Sequence, residues 1–178
     1  MNSAMLFHLS EQPGIQRFEP RPSPYTDAPV VWATDADHLH NYLLPRDCPR
    51  VTYYAGPETS AMGVERFLGS SLAVVAVESA WLERIRACRL FCYNLPPDSF
   101  ECLDECAGYF VSGRTVVPLQ VHIVEDVPAS LLGRGIELRF LQNLWPFRET
   151  VVSTTLQFSF IRMRNASPNP TRSVKTGE

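Results

Sequence analysis

Val30-Val-Trp-Ala-Thr-Asp-Ala-Asp-His-Leu-His-Asn-Tyr-Leu-Leu-Pro-Arg-Asp-Cys-Pro-Arg-Val-Thr-Tyr-Tyr54 holds two strand-like runs separated by a capped, helix-like stretch. Val30 to Thr34 is a short apolar run that reads as a buried strand, and Asp35 is placed to cap the turn that follows. Leu39, Tyr42 and Leu43 fall on one helical face, and Pro45 stops the helix they imply. Arg50 to Tyr54 is rich in β-branched and aromatic residues and ends at Gly56-Pro57, which predicts another strand.

Upstream, Met5 to Leu9 reads as a first strand, closed by Ser10 and Pro13-Gly14. Between these strands Glu11 to Pro29 carries five prolines, which remove donors and fix φ, so an ordered or semi-rigid loop is expected there. Downstream, Glu58–Leu68 and Ser79–Arg86 suit helices, while Leu72–Val77 and Cys88–Leu95 suit strands. Gly108–Ser112 and Val116–Val124 are expected to form an antiparallel pair. After Asp126, Pro128 fits a first helical position, and Leu138, Leu141, Leu144 and Trp145 recur at spacings of three and four. Val152 to Met163 fits a further helix, although Leu156, Phe158 and Phe160 also alternate as in a strand. The expectation is an α+β domain over residues 1–166, with a largely antiparallel mixed sheet of six to seven strands and a helical C-terminal third. Residues 167–178 are expected to be a flexible tail, and Met5 is an alternative start.

Composition limits the function. The chain has 178 residues, 45% of them apolar and 20% charged, with a net charge of −3. That balance describes a globular domain and argues against bulk attraction to DNA or to an anionic membrane. The longest purely apolar run, Leu72–Val77, is far below the ~20 residues that span a bilayer. Five cysteines without a signal-peptide pattern read as reduced thiols, so a cytoplasmic location is expected. The basic set is fifteen arginines and one lysine, and eight of the fifteen prolines lie between Pro13 and Pro57.

Pro45-Arg-Asp-Cys-Pro-Arg50 is the most distinctive hexapeptide. In an extended run Arg46, Cys48 and Arg50 share one face, which would bring two planar guanidiniums to a phosphate. The competing reading pairs both arginines with Asp35, Asp37 or Asp47 as loop anchors. His38 and His40 are not at the i, i+4 spacing of a helical metal site, and no metal centre is expected. Cys88 and Cys92, like Cys102 and Cys106, are spaced by four and read as small core residues. His8 is either a hydrogen-bonded core histidine or an active-site residue.

The run Leu6-Phe-His-Leu-Ser10, followed by Ile15–Pro20 and by Val30-Val-Trp-Ala-Thr-Asp35, resembles the opening of small bacterial proteins of unknown function. Their order of elements is in turn similar to the ADP-ribosyltransferase-like fold, over about residues 5–125 of this chain. The resemblance implies that His8, on the first strand, and Trp32 or Thr34, on the second, flank a nicotinamide dinucleotide, with NAD as cofactor. It supplies no match for the catalytic glutamate of that fold, since Glu78 follows an apolar strand and Glu137 stands in a helical context. The expected function is binding of a nucleotide or other phosphate-bearing ligand in a cleft lined by His8, Trp32, Thr34, His40, Arg46 and Arg50. If the protein is an enzyme, the expectation is a transferase in which His8 acts at the ribose or the leaving group. A non-catalytic interaction or ligand-sensing module is the alternative, and a thiol enzyme using Cys48 the third reading.

Overall fold

A computed structural model describes residues 5–105 and 107–170. The segment ahead of Met5 that bears on the alternative start, Cys106, and the tail beyond residue 170 lie outside the described residues. In chain order the elements are β1 (Leu6–Ser10), β2 (Val31–Thr34), β3 (Arg50–Tyr54), α1 (Ala61–Phe67), β4 (Ala73–Glu78), α2 (Leu82–Arg86) and β5 (Leu90–Leu95). There follow β6 (Glu101–Asp104), β7 (Tyr109–Ser112), β8 (Gln120–Val124), α3 (Val127–Leu132), β9 (Ile136–Leu141), α4 (Leu144–Val152) and β10 (Gln157–Ile161). The chain divides into two compact units, one built from residues up to Arg46 with Cys88–Val127, the other from Asp47–Ala87 with residues from Pro128 onward.

The first unit is a six-stranded sheet in the order β6-β7-β2-β1-β5-β8, antiparallel throughout. One of its faces carries Leu6, Val31, Ala33, Tyr93 and Leu95 and is packed by Phe18 and Val116. Phe18 comes from the proline-rich loop, which is ordered as its composition predicts: Phe18 and Val116 exchange backbone hydrogen bonds of 2.8 and 2.9 Å, and Arg21 and Val30 do the same at 3.0 Å. The expected pairing of Gly108–Ser112 with Val116–Val124 is not formed. β7 lies between β2 and β6, β8 pairs with β5 at the far edge, and Val116 turns to Phe18 instead. Burying Val116 under the loop outweighs continuing a hairpin in which Pro118 offers no donor.

The helix expected after Asp35 is a single 3-10 turn, Leu39–Tyr42. Asp35 still closes its entry, its Oδ1 accepting from the His38 backbone N–H at 2.8 Å. Tyr109 follows Gly108, whose φ is +64° and whose Cα faces the His38 ring so closely that any Cβ there would overlap it.

In the second unit the sheet order is β10-β3-β4-β9, with β4 and β9 parallel and the other pairs antiparallel. All six residues of β4, Ala73 to Glu78, are buried, as a strand covered on both faces requires. Ser60 caps α1 by accepting from the Gly63 N–H at 3.1 Å, which explains why the helix begins at Ala61.

The helical C-terminal third is corrected. Ile136–Leu141 is β9 and Gln157–Ile161 is β10. Leu138, Leu141, Leu144 and Trp145 satisfy a helical period by coincidence: the first two belong to a strand in which Glu137 and Arg139 alternate with apolar residues, and the helix starts later. Its start is marked by Asn143, whose Oδ1 accepts from the Trp145 N–H at 2.9 Å. A fully buried neighbour, β4, decides the matter, because its backbone groups must be paired and β9 pairs them. The first residues of the expected tail are anchored. Ser167 O accepts from the Trp145 indole N–H at 2.8 Å, and Pro168 O accepts from the Asn143 amide at 3.0 Å.

Candidate functional site

Strand register sorts the candidate residues of the first unit onto opposite faces. His8 is opposite Tyr93 on β5, so it shares the loop-covered face with Leu6 and Tyr93. Phe7 is opposite Thr34 on β2, and Thr34 is opposite Tyr109 on β7, so Thr34 and, two residues back, Trp32 lie on the other face. The sheet therefore separates the His8 side chain from those of Trp32 and Thr34.

On the first face the half-buried His8 ring lies 4.7 Å from the Phe18 ring, which meets Tyr93 edge-on at 5.3 Å. The Tyr93 hydroxyl clamps the loop above them, donating to Gln12 O at 2.9 Å and accepting from the Ile15 N–H at 3.1 Å. His8 Nδ1 is 2.8 Å from Trp32 O. A carbonyl only accepts, so Nδ1 carries the proton, and in the neutral ring Nε2 presents a lone pair. Among the described residues Nε2 makes no hydrogen bond. Burial holds the His8 pKa below the ordinary histidine range. The Arg46 and Arg21 guanidiniums push it further down, against the hydrogen bond to Trp32, which raises it. At neutral pH this is a neutral imidazole in a positive field.

On the other face the aromatic rings form a chain. Tyr25 meets Trp32 at 6.4 Å and 90°, Trp32 meets Tyr109 at 5.9 Å and 88°, and Tyr42 lies 6.5 Å from Tyr109. These separations and angles are those of edge-to-face aromatic contacts. His40 is buried on the adjoining 3-10 turn. Thr34 Oγ1 and Asn41 Oδ1 are buried with no hydrogen-bond partner among the described residues.

The hexapeptide does not present one arginine face. Arg46 is exposed, and its backbone N–H donates to Glu11 Oε1 at 2.8 Å. Cys48 and Arg50 are buried. The boundary between the units runs through the hexapeptide, leaving Arg46 in the first and Arg50, which opens β3, in the second. Cys48 has no exposed surface and its thiol donates to Pro49 O at 3.6 Å, so a reagent has no route to it in the folded state. Cys88 and Cys92 are buried free thiols, as core residues should be, and Cys102 is exposed.

Residues that sequence reasoning did not single out complete the first face: Phe18 and Tyr93. Each lies far in sequence from His8 or in the loop, and only strand pairing brings them together.

The second unit has a shallow apolar groove of about 450 Å³ where β9 ends and α4 begins, lined by Leu141, Asn143, Pro146, Phe147 and Thr150. Glu78, at the end of the adjacent β4, is fully engaged. Its carboxylate accepts from the Leu144 N–H at 3.2 Å, from the Ser167 N–H at 2.9 Å and from the Ser167 hydroxyl at 2.9 Å. Glu137 is held by Arg139 through contacts of 2.8 and 3.1 Å. No helix among the described residues is long and apolar enough to cross a membrane.

No curated protein and no solved structure matches the chain. A family model does match, over residues 7–166, which runs from β1 past the last turn after β10. On that match, the chain belongs to the family of unknown function DUF6886.

Proposed function

We propose that the first unit binds a phosphate-bearing nucleotide of the NAD or ADP-ribose kind at the loop-covered face. His8 Nε2 accepts a hydrogen bond from a ribose hydroxyl, the Arg21 and Arg46 guanidiniums attract the phosphates, and Phe18 supplies an apolar wall. The observation that carries this is the hydrogen bonding of His8: Nδ1 is committed to Trp32 O at 2.8 Å, which leaves the Nε2 lone pair for a ligand, in the field of the Arg46 and Arg21 guanidiniums. Trp32 and Thr34 lie across the sheet, so neither of them enters this arrangement, and Arg50 belongs to the other unit. The reading is one of binding. It includes no ADP-ribosyl transfer, because Glu78 and Glu137 are spent on structural contacts.

Thermal shift with NAD, ADP-ribose and inorganic phosphate tests it. A ligand at 100 times its dissociation constant adds about 2.7 kcal/mol to stability. A shift is expected with ADP-ribose, reduced by Arg21→Ala and removed by His8→Ala. No shift with any of the three at millimolar concentration refutes the reading. Because burial lowers the His8 pKa, affinity should fall only in buffer more acidic than an ordinary histidine would require. A second reading, a docking surface for a protein partner, is favoured by Tyr25, 80% exposed in the proline-rich loop against Trp32. Capture of a partner by wild type but not by Tyr25→Ala, without any nucleotide response, would select it.

A further inference from the structure

The two edges of the six-stranded sheet are treated differently. β6 carries Glu101 and Asp104, and its pairing with β7 shifts register between Cys102 and Asp104. Charge and an irregular register are devices that discourage further strands from adding to an edge. β8 has neither. It is the last strand on its side, paired only with β5, in regular register from Gln120 to Val124. From Val116 to Val124 the chain has no acidic or basic residue other than His122. Leu119, Val121 and Ile123, on one face by strand alternation, are 63%, 45% and 55% exposed. A strand paired on one side leaves a row of backbone N–H and C=O groups on the other.

We infer that β8 is a self-association edge: two copies of this chain pair antiparallel through β8 about a two-fold axis at Val121. Pairing there sets Val121 against its own copy, Leu119 against Ile123, and Gln120 against His122. Every apolar side chain of the row then meets an apolar one, and the polar face pairs an amide with an imidazole. Centring the axis on His122 instead would oppose Leu119 to Glu125. A two-fold axis perpendicular to the strand makes the two copies antiparallel. An isologous contact of this kind closes on itself as a dimer and leaves the charged β6 edges outermost. A single five-residue seam belongs to the small, weak class of interfaces.

Sedimentation velocity on the full chain, from about 10 µM to about 1 mM, tests this in the range where weak dimers dissociate. The wild type should move from monomer to dimer across that range. Val121→Lys and Val121→Glu should each weaken self-association at least tenfold, since each places like charges at the axis, while far-UV circular dichroism and melting temperature stay near wild type. Their equimolar mixture should recover the dimer, because lysine then faces glutamate. A wild type that stays monomeric throughout overturns the inference. So does a Val121→Lys protein that associates as wild type does, or a mixture that remains monomeric.

Discussion

Replacing Tyr53 by phenylalanine tests how the second unit is held together. Tyr53 is buried in the middle of β3, its ring 5.6 Å from Phe147. The hydroxyl donates to Phe67 O at 3.2 Å and accepts from the Arg139 guanidinium at 2.8 Å, which joins β3, α1 and β9 through one oxygen. Phenylalanine keeps the ring and removes both bonds, one of them to a charged donor, a loss of about 2 kcal/mol at neutral pH. The pH dependence is the sharper test. Burial, opposed by Arg139 and reinforced by Glu137, pushes the phenol up to about 12 from its ordinary value of 10.0. Below pH ~10 the group is protonated folded and unfolded, and its contribution is complete. Between pH ~10 and ~12 the unfolded chain loses the proton first, so stability falls by about 2.7 kcal/mol from this group alone. Tyr53→Phe has no such limb. Urea unfolding of both proteins at pH 8, 10, 11 and 12 should show a difference near 2 kcal/mol at the first pH that shrinks towards zero at the last. Other tyrosines titrate in both proteins and cancel. Parallel curves from pH 8 to 12, or a difference under about 0.5 kcal/mol at pH 8, would refute the reasoning.

Tyr93→Phe removes the clamp on the loop at Gln12 and Ile15; a loss of about 1–2 kcal/mol is expected, with faster hydrogen exchange at the Ile15 amide. Unchanged exchange there would show that the loop is held by something else. Gly108→Ala forces a side chain into positive φ and into the His38 ring, a cost of about 1–3 kcal/mol by thermal melting that His38→Ala should partly restore. Strict additivity of the two substitutions would contradict the close approach. Thr34→Val replaces a buried hydroxyl that has no partner among the described residues by a methyl of the same shape, and should leave stability unchanged or raise it by up to about 1 kcal/mol. A fall in melting temperature would mean that the hydroxyl has a partner after all.

Nearly every short strand, from β1 to β5, was readable from local pattern, because a run such as Ala73–Val77 is apolar enough to need burial wherever it goes. The same holds for the α1 and α2 segments and for an ordered proline-rich loop, since caps and prolines act within a few residues of themselves. Local pattern failed at Ile136–Trp145, where apolar residues fit both periods and the partner that settles them, β4, lies some sixty residues earlier in the chain. It failed in the same way for β7 and β8, adjacent in sequence and on different sides of the sheet. The candidate site shows the limit most clearly. Sequence alone determined that His8 sits on a strand among apolar neighbours and that Arg46, Cys48 and Arg50 share a short proline-bounded stretch. Only tertiary structure decided that His8 and Trp32 project from opposite faces, that Arg46 is exposed while Arg50 is buried, and that Phe18 and Tyr93 are the neighbours of His8. The physical reason is that a strand's side-chain alternation is a local property, whereas its register depends on which distant strand satisfies its backbone hydrogen bonds, and a shift of one residue exchanges the two faces.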